Sequence, residues 1–267
     1  MIRGLYTSGW SMIANSKKLD VITNNLANVN TTAFKKDTVV FQSFPELLTQ
    51  RINDTKSPLN PNPSSVIGNM SLGHDVGEIF TYYTKGQLTQ TNNNFDLAIN
   101  DDDTLGKASP SFFTIGVVNP EDNSQEEYYT KDGSFVLNSF NQLVTKDGYP
   151  VLGENGPITL EQGEFSVDAQ GNITQNGNIV DKLLIAQFED ATKLRKYGDN
   201  LIKNDGGEAA AFTGQVMQGY VEQSNVNIVS EMVDMITVMR AYEANQKVLQ
   251  AQDSTLEKVV NEVGVVR

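Results

Sequence analysis

The residues with the widest chemical repertoire in this 267-residue chain are few and scattered. The single histidine, His74, has no carboxylate cluster around it, whereas a catalytic triad or a zinc centre needs several converging ligands or bases. There is no cysteine, so thiol nucleophiles, disulfides and Cys-ligated metals are excluded. The run Asp101-Asp102-Asp103 invites a calcium reading. An EF-hand loop starting at Asp101 would put Leu105 at an oxygen-ligand position and Phe112 where a bidentate Glu should close the site, so a solvated acidic loop is the better reading. No phosphate loop, nucleophile elbow or H-E-x-x-H pair occurs, and nothing pairs two carboxylates for glycoside hydrolysis. The remaining polar concentration is Asn24, Asn25, Asn28 and Asn30. Asn24 and Asn28 share a helix face, where amides could form a hydrogen-bond ladder between subunits; a polar helix end explains them equally on periodicity alone. Catalytic, cofactor and metal residues are accordingly expected to be absent, and the chain reads as a non-enzyme.

The elements that must position these side chains are most legible at the two ends. From Ile228 a 4-3 count lands on Met232, Met235, Met239, Tyr242, Gln246, Leu249, Asp253, Leu256, Val260 and Val263. Only Gln246 and Asp253 interrupt this apolar stripe, and no Gly or Pro breaks residues 225–263. Such a repeat predicts a long helix that needs a partner helix, capped by Asn227 or Ser230. Leu5, Gly9, Met12, Ser16, Leu19, Thr23 and Leu26 supply a second stripe, widened by Ile2, Ile13 and Ile22. It should end within NNLANVNTTAF, residues 24–34, since asparagine favours caps and turns. Two striped helices at opposite ends of one chain most simply pair with each other, leaving the middle as an insertion.

Composition agrees with an ordinary folded protein: 39% hydrophobic, 20% charged and a net charge of −13. That charge argues against nucleic acid as a partner. No apolar run approaches the roughly 18 residues of a membrane span, and the N-terminus lacks the pattern of a cleaved secretory signal. Residues 51–75 hold three of the eight prolines and read as loop or extended linker. FDLAI (95–99) and residues 128–185 alternate with turn signals, the pattern of an all-β domain. Asp132-Gly133 and Asp147-Gly148 suit positive-φ hairpin turns and sit in a local repeat, YTKDGSFVLN and VTKDGYPVLG.

Three stretches, MIRGLYTSGWSMIANSKKLDVITNNLANVNTTAFKK (1–36), the block from TNNNFDLAIN to TKDGYPVLG (91–153) and GQVMQGYVEQSNVNIVSEMVDMITVMRAYEANQKVLQAQD (214–253), occur in this order. Together they resemble the axial proteins of the bacterial flagellum, specifically the proximal and distal rod proteins of the basal body. The resemblance implies an α+β fold in which the N- and C-terminal helices pair as a coiled-coil-like axial domain around an inserted all-β domain. The expected division is 1–36 with 225–267 as the axial domain, 37–84 with 206–224 as an extended or β connection, and 85–205 as the outer β domain. It also implies a structural subunit that polymerises into a hollow shaft transmitting torque from motor to hook. A hook-like axial protein is the nearest alternative, and a β-rich hydrolase on a helical stalk the alternative of another class.

Expected partners are other copies of the chain, neighbouring rod and hook proteins and the flagellar type III export apparatus, with no direct membrane insertion. The expected location is the flagellar basal body, reached without a cleaved signal. Assembly residues are expected on the first helix at Leu5, Met12, Leu19 and Leu26 and in the motif asparagines Asn24, Asn25, Asn28 and Asn30. On the C-terminal side they are Ser224, Asn225, Val226, Met232, Met235, Met239, Arg240, Tyr242, Glu243, Asn245, Leu249 and Leu256. The acidic DDDTLGKASPS (101–111) departs from the family, in which a short Gly turn leads to the paired phenylalanines.

Overall fold

Both terminal stripes fold as helices: α1 spans Ile2–Ala27 and α2 spans Ile228–Lys258, continued by a π-helical turn at Val259–Val263. The computed structural model describes residues 2–52, 64–101, 109–118, 125–161, 163–198 and 200–263, and its fold is α+β with a mainly β middle. α1 ends within the asparagine run, with the Thr31 amide donating to the Asn28 carbonyl at 3.2 Å. Among the described residues, no helix is long and apolar enough to cross a membrane.

The chain divides into two compact units. The first comprises Met1–Leu26, Asp37–Thr81 and Ile228–Arg267. In it, β1 (Asp37–Ser43) pairs antiparallel with β4 (His74–Thr81), and β2 (Leu47–Ile52) with β3 (Ser64–Met70). The described residues of the stretch read as a linker over 51–75 are therefore mostly strand. The three prolines that prompted that reading, Pro58, Pro61 and Pro63, lie outside the described residues, whereas SSVIGNM after them carries a β-forming Val-Ile pair. α1 lies along the β1–β4 ribbon: Trp10 meets Phe44 edge to face at 5.0 Å, and the Lys18 ammonium stands 5.8 Å from the centroid of the Phe41 ring. His74 is absorbed into this packing, its imidazole edge-on to Phe41 at 5.1 Å.

The second unit comprises Ala27–Lys36 and Tyr82–Asn227. Its largest sheet has six strands in the order Leu194–Tyr197, Leu201–Asn204, Gln125–Thr130, Ser111–Val118, Ile185–Phe188 and Ala209–Ala210. Successive side chains of a strand point to opposite faces, so Phe112 and Phe113 serve two cores. Phe113 packs with Leu97, Ile115, Phe135 and Ile158; Phe112 packs with Phe188, Leu194 and Ile202. A three-stranded meander, Phe165–Val167, Asn172–Gln175 and Asn178–Lys182, extends the first core through Ile173. The acidic stretch proves partly structural. Asp101 pairs with the buried Lys131, which also donates to the Ser111 carbonyl at 2.9 Å, while Asp102 and Asp103 lie outside the described residues.

The two halves of the local repeat do different work. Gly148 has φ +88 in a turn closed by its amide on the Thr145 carbonyl, as expected of an Asp-Gly hairpin. Gly133 is not a positive-φ turn residue. It is needed because a Cβ there would collide with the Leu97 carbonyl, and Leu97 in turn donates to the Gly133 carbonyl at 2.9 Å. Space and not torsion fixes that glycine. Gly133→Ala should therefore cost about 3 kcal/mol through overpacking, against about 1 kcal/mol for the sterically open Gly148→Ala. Urea denaturation of both variants checks the order.

Candidate assembly interface

Within the first unit, α1 and α2 meet at two points. The Asn25 side chain, 1% exposed, donates to Glu231 Oε2 at 3.3 Å, and a side chain at Gly4 would run into the Gln252 amide. Gly4 and Asn25 are 21 residues apart, and so are Glu231 and Gln252. The two contacts are therefore antiparallel and equally spaced on both helices, about 32 Å apart at 1.5 Å per residue. Asn25 is further fixed by donating to the Asp37 carbonyl at 2.8 Å and accepting from its amide at 3.0 Å.

These anchors set a seam different from the one the stripes suggested. A 4-3 count from Glu231 gives Met235, Val238, Tyr242, Asn245, Leu249, Gln252 and Leu256. Glu231 and Val238 are the buried residues of α2, and all the others except Tyr242 are half-buried. On α1 the matching count is Gly4, Ser8, Ser11, Asn15, Lys18, Ile22 and Asn25, every one buried or half-buried. This row shares Met235, Tyr242, Leu249 and Leu256 with the sequence-based count and lies one residue earlier at the alternate positions. Met232 and Met239 are about half exposed, and Gln246 and Asp253 are exposed as well. The row at 231, 238, 245 and 252 carries one apolar residue, Val238, so an apolar count passes over it; the contact of Asn25 with Glu231 marks it.

The other expected assembly residues divide in the same way. Leu5, Met12, Leu19 and Leu26 are half-buried, and Arg240 and Glu243 are exposed. Between the helices a groove of about 390 Å³ brings Leu19 and Asn15 opposite Val238, Met239, Tyr242 and Glu243. Of the asparagines, Asn24 and Asn30 are exposed, while Asn28 accepts from the Thr31 hydroxyl at 3.1 Å and so helps turn the chain. The residue that carries the polar work is the neighbour, Asn25.

In the second unit, three chain segments cross where the chain leaves α1 and where it returns toward α2. Lys35 donates to Glu222 Oε1 at 2.6 Å and to the Thr84 carbonyl at 2.9 Å, and both charged side chains are almost wholly buried. The Gly86 amide donates to the same carboxylate oxygen at 2.7 Å, and the Ala33 amide to the Glu222 carbonyl at 2.8 Å. Burial outweighs the nearby carboxylate and holds the Lys35 pKa below the ordinary lysine value. Asn225 accepts from the Lys36 amide at 2.7 Å and donates to the Tyr82 carbonyl at 2.8 Å. Ser224 accepts from the Val226 amide at 3.2 Å, and Val226 is itself buried. Lys196 lays its ammonium over the Phe34 ring and donates to the Lys35 carbonyl at 2.7 Å. Lys35, Glu222 and Glu231 were not among the residues singled out by sequence, because charge reads as surface until a partner is seen.

These two clamps join segments that matter in comparison with known proteins. Residues 5–35 match the family model described as flagella basal body rod protein, 111–206 that of the flagellar hook protein FlgE/F/G D1 domain, and 217–262 that of the flagellar basal body rod FlgEFG protein C-terminal. The chain is 33% identical over 276 residues to the flagellar hook-basal body complex protein FlhO of Bacillus subtilis (strain 168), covering 100% of both. It is 32% identical to the flagellar basal-body rod protein FlgG of the same strain, covering 98% of this chain and 99% of that one. The FlgG of Borreliella burgdorferi (strain ATCC 35210 / DSM 4680 / CIP 102532 / B31) is 33% identical, with 96% and 97% covered.

The chain belongs to the flagellar basal-body rod protein family. Within this rod protein, Asn25–Glu231 and Lys35–Glu222 each tie the N-terminal family segment to the C-terminal one. Removing one member of a buried ion pair strands the other. Lys35→Met should cost about 3–5 kcal/mol, and Lys35→Met with Glu222→Leu should regain most of it. Equilibrium denaturation of the two variants measures this directly, and a single variant as stable as the parent would show that the pair does not hold the crossing.

Proposed function

We propose that this rod-family chain is a structural subunit of the flagellar basal body whose α1–α2 unit polymerises with neighbouring copies through coiled-coil-like helix contacts. The observation that carries the reading is the apolar surface left on α2 outside its seam with α1. Val229 is 70% exposed, Val233 54% and Ile236 51%, with Met232 and Met239 beside them. On α1, Tyr6 and Ile13 are likewise exposed. A lone helix in water gains nothing by presenting two apolar faces, whereas a subunit packed among others must. Contacts of one face against a different face propagate as an open helix, which suits a shaft.

The motif asparagines and Ser224-Asn225-Val226 then shape the subunit, while Met232 and Arg240 face its neighbours and Met239 and Glu243 line the groove beside α1. Neighbouring rod and hook proteins and the type III export apparatus are the further partners of this reading. The name of the Bacillus subtilis relative, a hook-basal body complex protein, keeps a hook-side position as the second reading.

Ile236 and Val238 separate folding from assembly. Ile236→Asp alters an exposed position, so monomer stability should change by no more than about 0.5 kcal/mol, yet tubes seen by electron microscopy of the concentrated parent should disappear. Val238→Asp buries a charge in the seam and should instead destabilise the monomer by several kcal/mol. Tubes from Ile236→Asp indistinguishable from the parent's would remove α2 from the assembly contact.

A further inference from the structure

The second unit carries a groove of about 450 Å³ that the helical assembly does not use. On one wall stands Phe140, 80% exposed. Its position is built: the Phe140 amide donates to Asn138 Oδ1 at 2.9 Å, and Asn141 holds φ 60 with its amide on the Asn138 carbonyl at 3.0 Å. The facing wall is the turn Asn176-Gly177, where φ is positive at both residues and Gln175 pairs with Asn178, a type I′ hairpin. The buried Gln175 amide closes the floor, donating to the Glu161 carbonyl at 2.7 Å and accepting from its amide at 3.0 Å. Among the described residues, the side chains of Asn141, Asn176, Asn178 and Glu161 make no hydrogen bond, although all line this groove.

We propose that this groove binds a neutral oligosaccharide. A carboxamide presents both a donor and an acceptor, as does a sugar hydroxyl, so three free amides can take up hydroxyls in either sense. An exposed aromatic ring offers its face to the C–H side of a pyranose, and Phe140 has no other contact that accounts for its exposure. The volume falls within the range of small-ligand pockets. No cation lines the groove and Glu161 does, which disfavours phosphates and acidic polymers. A helical peptide would need a continuous apolar strip, whereas this lining sets Phe140, Leu160 and Val180 among six polar residues.

The full chain, labelled with nitrogen-15 and titrated with chitohexaose and separately with maltohexaose, tests the assignment. The side-chain amide resonances of Asn141, Asn176 and Asn178 should shift saturably with at least one sugar, with a Kd on the order of millimolar or tighter. Phe140→Ala, at an exposed position that leaves the fold intact, should weaken binding roughly tenfold. Phe140→Trp should preserve or strengthen it. Three results overturn the proposal: no saturable shift with either sugar, equal binding by Phe140→Ala, or shifts of the same resonances only as the concentration of the chain itself rises. The last would make the patch a contact between copies.

Discussion

A lysine and a glutamate 187 residues apart share a 2.6 Å ion pair from which water is almost wholly excluded, and the architecture around it depends on that pair. Buried charges are stabilising only when the remaining hydrogen-bonding capacity is also met. Here the Thr84 carbonyl and the Gly86 amide meet part of it, and the backbone of Ala33 joins the same glutamate. Three segments of chain are thereby held at one crossing, two of which, around Leu88 and Glu222, also pair as a short antiparallel sheet. Asn225 repeats the device one step along, using a neutral amide to bridge Lys36 and Tyr82. Specificity at this point comes from polar groups with few alternative partners, while the phenylalanine-rich β cores supply bulk burial.

The helical unit follows the same logic with a different balance. Its seam is thin in large apolar side chains on the α1 side, where Gly4, Ser8, Ser11 and Asn15 let α2 come near without filling the space between. Antiparallel register is set at the ends by Asn25–Glu231 and by the close approach of Gly4 to Gln252. The large apolar residues, Val229, Val233 and Ile236, point elsewhere. Large apolar side chains left uncovered beside the helix pair are the pattern expected when burial is completed between subunits.

Much of this could be read before any coordinates. Both helices, the β middle, the end of α1 in the asparagine run and the Asp147-Gly148 turn follow from periodicity and turn chemistry. The contact row of α2 did not, because Glu231, Asn245 and Gln252 are polar, and no hydropathy pattern signals the burial of Glu231. Gly133 was misassigned for a related reason: a dipeptide reports local torsion, whereas this glycine answers to the Leu97 carbonyl, distant in sequence. The proline-bearing linker hid a ribbon because three prolines close together outweigh a short Val-Ile strand in any local reading. Lys35 and Glu222 sat inside family-specific stretches, yet nothing along the chain ties one to the other.

The crossing also determines how force travels through one molecule. The chain leaves α1 and returns to α2 through segments pinned side by side at Ala33–Lys36 and Glu222–Asn225. A pull on either helix is therefore carried by several hydrogen bonds and one ion pair in parallel, before any of it reaches the strands beyond Tyr82. Whereas residues 37–81 pack back on α1, residues 91–218 form a loop closed at this crossing. They can lengthen, shorten or change their surface without retuning the helices, much as a side bracket can be exchanged on a shaft that keeps turning.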